Sequence, residues 1–243
     1  MPDKRSHRGP HPGDARLFTA ETLPILCHAV ADMAWLLSRD YADKSSLKLV
    51  GDRYGLTQRQ RLAVMRASCS DRQRDNRKQK QLSPELARGQ LLMIDGYNLL
   101  ITTEAALAHA PLFICRDGAV RDLASIHGTY RRVEETVPAI KIIAHALNSL
   151  KISKAAWLLD QPVSNSGRLK QLILSYAEEH SLDWTVELVI NPDRELLQSK
   201  EIIATSDSAV IDGCGQWLNL ARFLIDTIGI KDDLNLLDLS TPE

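Results

Sequence analysis

The chain has 243 residues, 44% of them hydrophobic and 25% charged, which is the make-up of an ordinary globular protein and excludes wholesale disorder. Its net charge of −1 conceals a split: residues 1–81 carry 16 Lys/Arg against 9 Asp/Glu, and residues 82–243 carry 14 against 22. Four scattered cysteines without a C-x-x-C pair argue against a zinc ribbon or a disulfide framework, and no stretch approaches the roughly 20 apolar residues that cross a bilayer.

A polar start without an apolar leader, MPDKRSHRGPHPGD, is expected to be a mobile arm over residues 1–14 of a cytoplasmic protein. A basic helical module follows over 15–88. Leu23, Leu26, Cys27, Val30, Met33, Ala34 and Leu37 recur at helical spacing, with Pro24 tolerated in the first turn. A second helix is predicted from Ser45 or Ser46 to Arg53, ended by Gly55. Thr57 followed by Gln60 is a capping box, which opens a third helix through Leu62, Val64, Met65 and Cys69. Helix, Gly-containing turn and helix give the outline of a helix-turn-helix, an outline shared by many plain helical domains. Arg59, Arg61, Arg66, Arg72, Arg74 and Arg77 make this region a candidate nucleic-acid surface; a solvated, basic linker would read the same way.

The texture changes near 82–89. From residue 89 to 243, short apolar runs at 90–95, 111–117, 154–160, 184–190 and 201–207 alternate with amphipathic stretches at 99–109, 137–150, 168–180 and 216–228. This alternation predicts an α/β fold in which a parallel sheet is covered by helices on both faces. Trp35, Trp157, Trp184 and Trp217 all fall in apolar patterns and read as core.

Asp95, Asp160 and Asp207 end three of these runs, and Asp117 ends a fourth. In open parallel sheets the functional crevice lies beyond the carboxyl ends of the strands, so these acids would share one rim. Crowded carboxylates call for a cation, and hard oxygen ligands suit Mg²⁺ or Mn²⁺. Asp95 sits in D-G-Y-N, where Gly96 permits a tight bend and Asn98 can cap or bind oxygen; Asp207 sits in T-S-D-S-A-V-I-D with Asp212 five residues on; Asp193 lies in N-P-D-R-E-L. Each acid taken singly also reads as a cap or a turn residue. The S-N-S-G-R segment offers a helix start with Arg168 beside it, either a phosphate seat or a plain N-cap by Ser166.

L-L-M-I-D-G-Y-N-L-L followed by A-T-S-D-S-A-V-I-D resembles the first and last acidic motifs of PIN-like nucleases, especially the NYN-type branch, over about residues 89–228. The whole chain is also similar to an uncharacterised prokaryotic two-domain family in which a helical module precedes such a domain. The resemblance implies a PIN-like three-layer fold and a metal-dependent phosphodiesterase acting on RNA, or alternatively DNA, by metal-activated water. Carried over residue by residue, Asp95 matches the first-strand acid, Asp207 the late-strand acid, Asp193 the helix-borne acid and Asp212 the additional acid after the late strand. Asp160 matches a middle-strand acid that varies among such proteins, and the lead-in before Asp193 lacks the Gly/Lys-rich run of the branch. Competing readings are a non-catalytic nucleic-acid-binding regulator, a metal-dependent phosphatase or nucleotide hydrolase on the same acidic rim, and a toxin-like component neutralised by a partner. Homo-oligomerisation is left open.

Overall fold

A computed structural model describes residues 7–124, 128–227 and 234–240. The helical region holds α1 (Asp14–Leu17), α2 (Leu23–Leu37), α3 (Asp43–Arg53), α4 (Gln58–Ala67) and α5 (Asp71–Lys80), followed by a 3₁₀ turn at Pro84–Ala87. Thr57 caps α4 in the predicted box, with its side chain accepting from the Gln60 amide. An equivalent box between Ser70 and Gln73 opens α5, the helix that the basic texture disguised as linker.

The remainder runs β1 (Leu91–Asp95), α6 (Gly96–Leu107), β2 (Leu112–Ile114), β3 (Val120–Arg121), α7 (Thr136–Ser149), β4 (Lys154–Asp160), α8 (Ser166–Glu179), β5 (Trp184–Val189), α9 (Pro192–Gln198), β6 (Ile202–Ala204), α10 (Ser208–Gly213), β7 (Gln216–Leu218), α11 (Leu220–Thr227) and β8 (Leu236–Asp238). Five strands form one parallel sheet in the order β5-β4-β1-β6-β7. Alternate side chains enter opposite layers, as strand geometry requires. Leu92, Ile94, Trp157, Leu159, Ala204 and Leu218 pack into the larger core with α6, α7, α8 and α11. Met93, Leu158, Ile203 and Trp217 face the other way, against Leu196 of α9 and Val210 and Ile211 of α10. The expected α/β class, with helices on both faces of a parallel sheet, is therefore observed.

Four expectations need correction. The 111–117 run does not join the parallel sheet. Its Leu112–Ile114 segment pairs antiparallel with β3 and parallel with β8 in a separate three-stranded sheet. Phe113, Cys115, Leu237 and Leu239 then share a core with Phe18, Leu26, Val30 and Met33 of the helical region, so the two regions are fused through a common apolar interior. The stretch at 216–228 divides into β7 and α11, with Gln81 bridging to Trp217 along the sheet edge. Finally, the arm is anchored where it is described: buried Arg8 pairs with buried Glu104 at 3.0 Å, and Asp14 pairs with Arg59. Residues 1–6 lie outside the described residues. Trp157 and Trp217 are core, but Trp35 is 54% exposed, with the Arg39 guanidinium 3.7 Å from its ring.

Among the described residues, no helix is long and apolar enough to cross a membrane.

Candidate active site

The chain leaves β1 for β4 and β5 on one side, then returns to lay β6 and β7 on the other, so strand order reverses between β1 and β6. A crevice opens beyond the carboxyl ends of strands at such a switch point. Asp95 is the last residue of β1, and Asp207 stands three residues past β6. Both line a cleft of about 390 Å³, together with Asp193, Tyr97, Asn98 and Arg66.

The two acidic motifs are bonded to each other. Thr205 Oγ1 donates to Asp95 Oδ2 at 2.8 Å, and the Asp207 amide donates to Thr205 Oγ1 at 2.9 Å. The Ser206 amide donates to Asn98 Oδ1 at 2.8 Å. D-G-Y-N and T-S-D-S thus form a single stitched floor, in which Asn98 fixes the opposite loop. Gly96 is needed for a different reason from a bend: a Cβ there would lie 2.7 Å from the Leu158 carbonyl oxygen, so α6 can start this close to β4 only without a side chain. Asp207 also caps α10, its Oδ1 accepting from the Ala209 and Val210 amides.

Asp95 is 8% exposed, and burial, the largest influence, pushes its carboxyl up to about 7. The Thr205 bond acts in the opposite direction, while the charges of Asp207 and Asp193 add to the rise. Asp193 is raised by burial and by Asp207, and Asp160 by burial and by Asp193. The four acids therefore feel one another across one rim. Among the described residues none of them is in an ion pair. Tyr97 brings a further polar atom: its residue is 5% exposed, and its hydroxyl is buried without a hydrogen-bond partner.

Among the described residues, no three His, Cys, Asp or Glu side chains stand close enough together to hold a metal ion. The donor set nevertheless has the chemistry of a hard-cation site, oxygen ligands that form no ion pair among the described residues although Arg66 and Arg121 also line the cleft. Asp95, Asp193 and Asp207 are the acids that line the cleft; Asp160, at the end of β4, stands beside it and is linked to the others through Asp193.

Asp212 is elsewhere. Its carboxylate takes two bonds of 2.7 Å from Arg77 and one of 3.0 Å from Gln73, which ties α10 to α5. Arg77, 2% exposed, also donates to Asp117 at 2.6 Å, and Arg121 grips the same Asp117 with two more bonds. Neither Asp212 nor Arg77 is free for the roles expected of them. Arg59 is held by buried Asp14, Arg61 by Asp52 and Arg74 by Asp75. Arg72 and Arg168 are exposed away from the cleft lining, and Arg66 enters it. At the S-N-S-G-R segment Ser166 is inside α8, donating to the Gln161 carbonyl; Asn165 occupies the cap position in the left-handed region at φ 71° without a capping bond. The N-cap by Ser166 is therefore not realised.

Sequence reasoning also passed over Tyr97, Thr205 and Arg121. Thr205 sits one residue before S-D-S, and its role depends on β6 lying beside β1, which no local pattern reports.

Residues 84–223 match the family described as "Domain of unknown function (DUF5616)". The chain belongs to that family. Residues 25–80 match a second family, "Protein of unknown function (DUF434)", so the two regions meet where the composition changes. The chain is 33% identical to the "Uncharacterized protein MJ0935" of Methanocaldococcus jannaschii over 183 residues, 75% of this chain and 87% of that protein. No solved structure matches it. The floor built from Asp95, Asn98, Thr205 and Asp207 lies wholly within the matched DUF5616 region, whereas Arg66 comes from the DUF434 region.

Proposed function

We propose that the DUF5616 region is a PIN-like nuclease domain that hydrolyses phosphodiester bonds, RNA in the first place, with Mg²⁺ or Mn²⁺ at the acidic rim. One observation carries this reading: Asp95, Asp193 and Asp207 converge on a cleft at the topological switch point without a cationic partner among the described residues. Asp95 and Asp207 are the residues that would hold the cation, with Asp193 and Asp160 the further acids that would have to close in to complete or bridge its shell. A divalent ion there supplies, when bound, an acidified water and neutralisation of charge on the phosphate.

The chain's own contribution is orientation. Thr205 fixes one Asp95 oxygen, and Asn98 fixes the loop that carries Asp207, so the carboxylates are preset before substrate arrives. RNA rather than another phosphodiester follows from the resemblance to the NYN-type branch.

Purified protein incubated with end-labelled structured and unstructured RNA in Mn²⁺ or EDTA tests the reading. Shortening in Mn²⁺ and not in EDTA is expected. Intact RNA in Mn²⁺ overturns it, and release of inorganic phosphate without shortening transfers the rim to a phosphatase.

A further inference from the structure

Arg66 stands in the last turn of α4, outside the α/β region, yet its side chain forms part of the cleft wall. Its guanidinium is held end-on by backbone: Nη1 donates to the Asp122 carbonyl and, at 3.2 Å, to that of Ala124, and Nη2 donates to Ala124 at 3.1 Å. Its nearest acid is Asp122, whose carboxylate lies 3.7 Å away and takes stronger bonds of 2.6 Å from Thr102 and the Ala124 amide. Backbone carbonyls thus orient the group, and Asp122 is a longer ion-pair partner on its end-on side.

A guanidinium has five N–H donors. Three are engaged here, and among the described residues Nε–H and the second Nη2–H have no acceptor. Those two hydrogens form the parallel side-on fork that matches a phosphate. The other arginine of the cleft, Arg121, has no such spare fork, since its donors go to Asp117, to the Ser206 carbonyl and to the Arg66 carbonyl.

We propose that Arg66 is a substrate-binding residue: its free Nε/Nη2 fork seats a phosphate of a single-stranded RNA across the cleft from Asp95 and Asp207, so the helical region completes the candidate active site. This rests on the nuclease reading. It also makes the helical region part of the catalytic body, in place of the detached helix-turn-helix that its outline suggests.

The test is anisotropy of a fluorescein-labelled single-stranded RNA titrated in EDTA with full-length chains carrying Asp95→Asn to prevent cleavage, over a series of salt concentrations. Adding Arg66→Met is expected to weaken binding roughly tenfold or more, the scale of hydrogen bonds to a charged group. The slope of log affinity against log salt should become shallower by about 0.7, one phosphate contact on a single strand. A merely structural arginine would not move that slope. Lys44→Met, which removes an exposed cation of the same region outside the cleft lining, should leave affinity and slope unchanged. Arg66→Lys, which keeps the charge but not the fork, should retain the slope and lose part of the affinity; it carries the test if Arg66→Met melts early. Unchanged affinity and slope in the folded Arg66 variants overturn the proposal and leave the nuclease reading standing if the wild-type chain cuts RNA in Mn²⁺. Absence of both binding and cleavage in the wild-type chain overturns both.

Discussion

Two groups of buried acids in this protein are treated in opposite ways. Asp117, between the helical and α/β regions, is surrounded by guanidinium groups. Burial alone would raise its carboxyl, but Arg121 and Arg77 outweigh burial and hold it at about 2. Asp95, at the switch point of the sheet, is also withdrawn from water, and with the Thr205 hydroxyl, the Asn98 backbone amide and other acids near its carboxylate in place of a guanidinium, burial carries it up to about 7. A folded chain gains by satisfying a buried charge internally. Asp117 is therefore explained by the fold alone, whereas Asp95 has no compensating charge bonded to it among the described residues.

The largest expected effect that sharpens this contrast is on chemistry. Asp207→Asn should lower RNA cleavage in Mn²⁺ on the order of 10³-fold, the scale for removing a group that acts on charge or protons in the reaction. Asp212→Asn, five residues away, should lower it far less, and equal losses in a timed cleavage assay would erase the distinction between rim and clamp.

Next is stability. Arg77→Met leaves Asp117 and Asp212 without their shared partner and should destabilise the chain by about 3–5 kcal/mol in urea unfolding. A loss under about 1 kcal/mol would mean that the clamp is not what joins the regions.

The pH dependence should have opposite signs in the two places. Asp117 has a lowered folded pKa, so its contribution is present above the ordinary carboxylate value near 4 and disappears as pH falls through about 2. Asp95 has a raised one, so the native state binds the extra proton, and its contribution is complete below about 4 and lost as pH rises through about 7. Asp95→Asn, which keeps an oxygen for Thr205, should therefore raise the melting temperature at pH 8 more than at pH 4. A larger gain at pH 4 would contradict the environment described for Asp95. The smallest effect belongs to Ser70→Ala, which removes the cap of the helix that carries Arg77 and should cost about 1 kcal/mol.

The sequence was informative where structure is local. Lys154–Asp160 was bounded correctly as a strand, because a run buried on both faces and flanked by polar residues has few other uses, and Thr57 with Gln60 marked a helix start. Partnership was not legible. Leu112–Ile114 reads as strand in any sheet, and only the arrival of β8 and the helical region determines which. Gln216–Leu218 is three residues long and runs into α11, so it merged with the helix pattern. Asp207 and Asp212 look alike in the chain, yet five residues along a helix turn a side chain by about 140° to another face, where Arg77 waits 135 residues away in sequence. The same blindness made a stripe of arginines look free, when Arg59, Arg61, Arg74 and Arg77 each hold an acid.

Asp95 and Asp207 are proposed as the incomplete half of a divalent-cation site. Calorimetric titration of Mn²⁺ into the protein at pH 8 tests it most directly. Saturable binding in the wild-type chain and in Asp212→Asn, lost in Asp95→Asn and Asp207→Asn, is the predicted result. No binding to the wild-type chain, or binding undiminished in the Asp95 and Asp207 variants, would contradict it.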